Sequence, residues 1–405
     1  MESEVISITN KEDCCGCSAC AQACPKKCID MVEDNEGFLY PRIDQSVCIN
    51  CGICEKTCPI KNQKPEQSFK QTAYVVQNKD LKILRESTSG GAFSALSCWA
   101  IKQGGVVFGA AYDDHLTVQH QFVEDERSIS KFRNSKYVQS KIGNSFQQVK
   151  EFLQKGRIVL FSGTPCQIEG LLSYLRKPFE NLWTVDIVCH ACPSPLMFRK
   201  YKEWQNLKCT DKIENISFRD KYYGYKYSTM SVFRKEKNYH EGIDTDPYLR
   251  AFFQHLSIRP SCFKCAFKKI HRPTDFTIWD CFDVENFCKS MDNDRGVTKI
   301  LCHSTRAQSL ILNLQNYLSI YEVSPEKIIE GEKELVKAVE PCHNRTQFFK
   351  DLNKMPVEEC FKKYFPLTPR HRIEKQIRIW TNRLGIYKFA KKIFKIINGN
   401  REIKR

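Results

Sequence analysis

Eight cysteines near the N-terminus fall into two runs, Cys14-x2-Cys17-x2-Cys20-x3-Cys24-Pro25 and Cys48-x2-Cys51-x2-Cys54-x3-Cys58-Pro59. A 4Fe-4S cubane needs four thiolate sulfurs. In this spacing three come from a tight loop, and the fourth, followed by proline, serves the other cluster. The expected sets are therefore Cys14, Cys17, Cys20 and Cys58 for one cluster, and Cys48, Cys51, Cys54 and Cys24 for the second. Such clusters exchange single electrons, so the chain is expected to move electrons. Two zinc knuckles would each need four ligands of their own with a longer gap between CxxC halves, and the spacing argues against them. Cys15 and Cys28 fall outside the pattern and read as small buried apolar residues beside the clusters.

Other residues whose types could do chemistry lie further along. Ser89-Gly90-Gly91 precedes an apolar helical stretch, an arrangement that offers backbone N–H groups and a hydroxyl to a phosphate, although glycine pairs at helix starts are also common as plain turns. In Gly163-Thr164-Pro165-Cys166 a cysteine follows a strand and opens a helix, where the helix dipole favours the thiolate as a nucleophile or a metal ligand. Cys166, Cys189, Cys262 and Cys265 could converge on a third 4Fe-4S cluster, with Cys192 as a substitute ligand; the alternative is that some are buried thiols. His190 reads as a core histidine or a group that orients a ligand.

The elements that must position these residues can be read from the same sequence. Two-cluster ferredoxins are much shorter than 405 residues, so the cysteine-rich segment is an accessory to two or three further units. The polar stretch 61–71 reads as a linker. Beyond it, Tyr74–Val76, Val106–Ala110, Arg157–Phe161 and Leu182–Val188 predict strands. Ala92–Ile101 and Gln167–Leu175 predict helices. Strand, glycine turn, helix, strand is an α/β unit, and ligands in such sheets bind beyond the carboxyl ends of the strands, where both cysteine loops fall. The expected fold is α+β or α/β. It comprises a ferredoxin domain over 1–66, an α/β body in two parts over 67–150 and 151–320, and a helical basic tail over 321–405.

The net charge of +16 is concentrated at the C-terminus, where residues 366–405 carry twelve Lys or Arg against two Glu. With no base-reading module, nucleic acid is not an expected partner. Ile373, Ile377, Trp380, Leu384 and Tyr387 recur among Arg378, Arg383 and Lys388, and Phe389–Phe394 continues the pattern, giving a basic amphipathic helix that could pack on the body, meet a partner, or rest on an anionic membrane surface. No apolar run reaches the length of a membrane span and the start lacks signal-peptide character, which with the many thiols predicts a soluble, cytoplasmic protein.

Taken in order, Ser89-Gly90-Gly91, Gly163-Thr164-Pro165-Cys166-Gln167, Asp186-Ile187-Val188-Cys189-His190, Ser217-Phe218-Arg219-Asp220-Lys221 and Arg259-Pro260-Ser261-Cys262-x2-Cys265 resemble the coenzyme F-420 hydrogenase/dehydrogenase beta subunit family, over about Thr72 to Thr305. Two positions depart from the family's pattern. Asp280-Cys281-Phe282-Asp283 replaces an acidic residue followed by Phe-Trp-Gly, and Ala191 replaces the glycine after Cys-His. The resemblance implies an FAD- and iron-sulfur-dependent oxidoreductase that passes electrons between 4Fe-4S clusters and a two-electron hydride carrier or organic substrate. It implies that Ser89, Gly90 and Gly91 contact the FAD phosphates, that Gly163, Thr164 and Gln167 line the site, and that Arg219 and Lys221 meet phosphate or substrate anions. The expected partner is a redox protein or a hydride-carrying coenzyme; the rival reading is an electron-transfer subunit with no substrate of its own.

Overall fold

A computed structural model describes residues 6, 8, 10–63, 66 and 69–386. Its strands are β1 (Ile29–Glu33), β2 (Leu39–Ile43), β3 (Thr72–Asn78), β4 (Val106–Tyr112), β5 (Val118–Val123), β6 (Val159–Gly163), β7 (Leu182–Ile187), β8 (Asn215–Asp220), β9 (Thr229–Phe233), β10 (Tyr239–Gly242), β11 (Phe276–Asp280), β12 (Thr298–Cys302) and β13 (Leu318–Val323). Val106-Val107-Phe108 and Val159-Leu160-Phe161 are apolar without alternation because both faces of their strands are buried. They belong to an eight-stranded sheet of order β13-β3-β12-β11-β7-β6-β4-β5. Its centre, β4-β6-β7-β11, is parallel, and antiparallel strands flank it on both sides. The expected α/β body is thus present as a mixed sheet.

The helix Pro165–Leu175 makes the crossover from β6 to β7, and this brings Cys166 and Cys189 to neighbouring strand ends. Between β7 and β11 the chain leaves the sheet and builds a second, three-stranded antiparallel sheet, β10-β9-β8. This sheet and the helix Pro195–Lys208 share one core, which contains Phe198, Tyr201, Phe218 and Tyr248. The excursion is invisible to a reading based on strand–helix alternation, because its strands are short and their polar residues are satisfied internally, as by Ser231 Oγ to Asp220.

In the N-terminal domain the two cysteine runs take the same local shape. Ser18 (φ 63°) and Gly52 (φ 68°) are left-handed N-caps of the helices Ala19–Ala23 and Ile53–Thr57, and each helix ends on the extended cysteine, Cys24 or Cys58, that precedes proline. Steric conflict with the proline ring keeps that cysteine out of the helical region.

The C-terminal part differs from the expected tail. β13 crosses the 320/321 boundary as an edge strand of the main sheet, and the helices Arg345–Lys354 and Val357–Tyr364 bury Phe348, Phe349, Leu352 and Phe361 in the core of the second sheet. The peripheral segment begins only at the helix Pro369–Arg383. That helix turns Lys375 and Arg378 toward Glu241 and Asp244 and buries Ile379, but leaves Ile373 (59%) and Trp380 (61%) exposed, together with Leu384 and Ile386. Tyr387, Lys388 and Phe389–Phe394 lie outside the described residues. Among the described residues, no helix is long and apolar enough to cross a membrane.

Because Phe348 is fully buried, Phe348→Ala should lower stability by about 3–5 kcal/mol. Deleting the chain from Arg370 removes one buried aliphatic side chain, Ile379, and the half-buried ion pairs of Lys375 and Arg378, and should cost less than that single substitution. Denaturant unfolding of the two variants beside the intact chain tests this, and a larger loss from the truncation would make the last helix part of the core.

Candidate redox site

The N-terminal thiols gather as two groups of four. Cys20 feels Cys14 and Cys58 electrostatically, and Cys17 feels Cys14 and Cys20. Cys24, Cys48, Cys51 and Cys54 line one cavity with Cys28, Pro25, Ile29, Ile49 and Ile53. Both groups offer four sulfurs in an apolar setting with the chain crossing from one to the other, a donor set that fits two 4Fe-4S clusters. Burial pushes Cys20 up to about 12. Iron binding must therefore displace the proton, as thiolate ligation requires. Cys28 sits against Cys24, Sγ to Sγ 3.4 Å, and is buried as expected of a residue outside the ligand set.

A third group forms in the body. The charge on Cys262 is felt against Cys189, Cys265 and Cys166, and that on Cys189 against Cys166 and Cys265, so these thiols share one neighbourhood. Cys192 belongs with them: its amide donates to Cys262 Sγ at 3.3 Å. Burial pushes Cys189 up to about 12. Cys166 is also raised, first through its hydrogen bond with Cys15 and then through burial, so the thiolate expected from the helix dipole is not favoured. The dipole acts within one turn, while here a neighbouring thiol and the loss of solvent oppose it. Lysine and main chain brace this group, with Lys268 Nζ donating to the carbonyls of Cys189 and Glu334. His190 packs against Phe252 and Phe253, 3.1 Å from His255 Nε2. It is a neighbour of the group.

Cys15 is the residue whose role the sequence conceals. Its place outside the repeat marks it as filler, yet its side chain contacts both Cys17 of the first N-terminal group and Cys166 of the body. The contact is possible because the helix Pro165–Leu175 meets the cysteine loop at Gly170, where a Cβ would stand 2.9 Å from Cys17 Cβ. Gln139 Nε2 donates to Cys15 O, and Gln22 Oε1 accepts from the amides of Phe146 and Gln147, which seals the same interface. The doublet Cys14-Cys15 is the only local signal.

Gly163, Thr164 and Gln167 shape the Cys166 loop. Thr164 caps the helix, the Thr164 amide donates to Gln167 Oε1 at 2.9 Å, and Thr164 Oγ1 lies 3.1 Å from Cys166 Sγ. Gly163 admits the Gln167 side chain, 3.1 Å from where a Cβ would be. These residues sit at the thiol group, apart from the glycine turn.

The turn Ser89-Gly90-Gly91 opens the helix Ala92–Lys102, with Gly91 as its left-handed cap (φ 78°). Gly90 is packed against the sheet: its amide donates to Thr298 Oγ1 at 2.8 Å, and a Cβ would come within 2.4 Å of Val76 O. Ser89 Oγ donates to Val297 O. Lys221 donates to the carbonyls of Leu84, Ser89 and Arg295, so its three protons all have protein partners, and burial lowers its pKa to about 8. Arg219, 6% exposed, gives Nη1 to Tyr137 and to Asp280 at 2.9 Å, while its buried Nη2 has no hydrogen-bond partner. For a diphosphate the fit is partial. The first turn of the helix and Arg219 Nη2 offer donors, whereas Gly90, Ser89 and Lys221 are committed to holding the turn on the sheet.

Comparison with known proteins divides the chain in the same way. Residues 156–327 match the family model for the C terminus of the coenzyme F420 hydrogenase/dehydrogenase beta subunit, and residues 13–62 match the 4Fe-4S dicluster domain. Among curated proteins, the pyruvate synthase subunit PorD of Methanothermobacter marburgensis is 36% identical over 58 residues, which are 14% of this chain and 62% of that protein. A 7Fe ferredoxin of Hydrogenibacillus schlegelii is 34% identical over 73 residues, 17% of this chain and 87% of that protein. Among solved structures, the F420-reducing [NiFe] hydrogenase complex from Methanosarcina barkeri contains a chain that aligns with a TM-score of 0.45 and 16% identity, covering 72% of this chain and 90% of that one.

Anaerobically purified protein should carry about eight iron atoms in the N-terminal domain and about four more if the body thiols close on a third cluster. Cys262→Ala should then lower total iron from about twelve to about eight with the N-terminal signals unchanged. Metal analysis with EPR reads both, and a Cys262→Ala protein with undiminished iron would leave Cys166, Cys189, Cys262 and Cys265 as plain buried thiols.

Proposed function

We propose that the chain, whose residues 156–327 match the C-terminal model of the coenzyme F420 hydrogenase/dehydrogenase beta subunit family and whose residues 13–62 match a 4Fe-4S dicluster domain, is an iron-sulfur oxidoreductase that passes electrons between 4Fe-4S clusters and, through FAD, a two-electron hydride carrier or organic substrate. When bound, a flavin exchanges electrons in pairs with a hydride carrier and singly with one-electron centres. The single observation that carries this reading is the close approach of the helix Pro165–Leu175 to the first cysteine loop, where a Cβ at Gly170 would stand 2.9 Å from Cys17 Cβ and Cys15 interacts with both Cys17 and Cys166, so that the N-terminal thiols stand beside those of the body. A third 4Fe-4S cluster on Cys166, Cys189, Cys262 and Cys265 completes the proposed relay.

The residues of the chain supply binding and orientation. Cys14, Cys17, Cys20 and Cys58, and Cys48, Cys51, Cys54 and Cys24, are proposed as the ligands of the two N-terminal clusters. Gly91 and the first amides of its helix, with Arg219 Nη2, would hold the flavin diphosphate. Ser89, Gly90 and Lys221 would hold the turn in shape, and Gly163, Thr164 and Gln167 the Cys166 loop. Val47 and Ile49 are exposed beside Cys48 and Cys51, which supports a redox protein docking at that end. That surface is also what a pure electron-transfer subunit would use.

Flavin analysis separates the two readings. The enzyme reading expects one FAD per chain, released or weakened by Arg219→Met with iron retained. Protein with full iron that holds no FAD and takes up none when it is added would favour the pure electron-transfer role.

Peripheral contact with an anionic membrane through the helix Pro369–Arg383 is proposed from its exposed Ile373, Trp380 and Leu384 beside Arg370, Arg372 and Arg383. Sedimentation with anionic vesicles should be strong at low salt, weak at high salt and lost on deletion from Arg370. Absence of binding at low salt would point to a protein surface instead.

A further inference from the structure

Arg259 is among the largest side chains that are fully buried, at 0% exposure. Other buried cations meet acids: Arg272 meets Asp186, Lys299 meets Asp283 and Glu332, and Arg345 meets Glu36. The hydrogen bonds of Arg259 go elsewhere. Nε donates to Cys14 O at 2.8 Å, Nη1 to Gln139 Oε1 at 2.8 Å, and Nη2 to Leu39 O at 3.0 Å and to Cys14 Sγ at 3.5 Å. The guanidinium lies 4.3 Å from the Tyr40 ring centroid and 5.3 Å from that of Phe38, so aromatic rings replace water on its flank. A guanidinium stays charged at any working pH, and a charge taken out of water needs a compensating charge nearby. The first compensating group within reach is Cys14 of the first N-terminal set, whose Sγ accepts from Nη2, with Tyr40, Cys192 and Cys15 beyond it.

The backbone carries the same residue to the other thiol group. The Arg259 amide donates to Cys192 O at 2.9 Å, and the Cys262 amide donates to Arg259 O at 3.0 Å. The cysteine loop is shaped to admit it: at Gly16 (φ 72°) a Cβ would lie 2.8 Å from Arg259 Nη1 and 2.6 Å from Gln139 Nε2.

We propose that Arg259 is a positioning residue whose buried charge balances the sulfur ligands at Cys14, raising the reduction potential of the cluster there so that an electron is favoured at the end of the N-terminal domain that faces Cys166. Net charge and hydrogen bonds to sulfur set cluster potentials, and a cation beside a cluster stabilises the form that holds the extra electron. The inference rests on the reading that Cys14, Cys17, Cys20 and Cys58 hold a 4Fe-4S cluster.

The test uses the full chain, purified anaerobically, with iron measured before an EPR-monitored redox titration of the wild type, Arg259→Gln and Arg259→Lys. Arg259→Gln should keep its iron and move the midpoint of one N-terminal cluster downward, with the other cluster unmoved. Arg259→Lys, which keeps the charge, should recover most of that shift. Full iron with an unmoved midpoint in Arg259→Gln, or equal shifts in both variants, would overturn the proposal. If Arg259→Gln fails to hold the cluster, Arg259→Lys still decides: a loaded cluster near the wild-type midpoint supports a role for charge, and loss in both variants refutes it. A wild-type protein without iron at these cysteines removes the premise itself.

Discussion

Everything else in this molecule depends on the seam between a cysteine loop and the carboxyl ends of β6 and β7. Electrons pass between centres only over short separations. The seam brings thiols of the N-terminal domain beside those of the body, as the proposed electron transfer requires. Gly16 and Gly170 meet that constraint by removing side chains where the loop, Arg259 and the helix Pro165–Leu175 approach most closely. Polar groups bridge so close an approach: Gln22 Oε1 accepts from two body amides, and Gln139 donates back to Cys15 O.

Away from the thiols, the same interface is held by groups that would be costly to bury alone. Glu36 pairs with Arg345, and Ser194 Oγ donates to Glu36 O, fastening the hairpin of β1 and β2 to the second sheet. Phe38 from that hairpin enters the core of the second sheet beside Phe349. The N-terminal domain thus packs as part of the body, which suits a relay that would fail if its parts swung independently.

The region of the glycine turn obeys a different constraint. Lys221, Gly296 and Thr298 all converge on Ser89 and Gly90, and the close packing buries Gly91 and the helix start, with Ala92 and Ser94, as well. Glycine at position 90 is required by the sheet, since Val76 O occupies the space of a side chain. A motif that suggests phosphate contact is here also a device for joining a turn to β3 and β12.

The spacing of eight cysteines was legible without a structure because ligation by a local loop depends on residues three or four apart, which sequence records directly. The strands β3, β4, β6 and β7, with the helices between them, were legible for the same reason: apolar runs and glycine stops are local signals. The strand order, the antiparallel flanks and the excursion through β8 to β10 were not, since pairing joins residues far apart in the chain. Cys15 shows the limit most sharply. Its type and neighbours mark nothing, and only the approach of Gly170, some 150 positions away, turns it into a link between two thiol groups. Arg259 is similar, because a buried guanidinium and an exposed one are spelled alike. The sequence by itself determined which thiols the chain carries and in which loops; the tertiary structure alone decided which loops face one another, because that depends on packing surfaces assembled from every part of the chain.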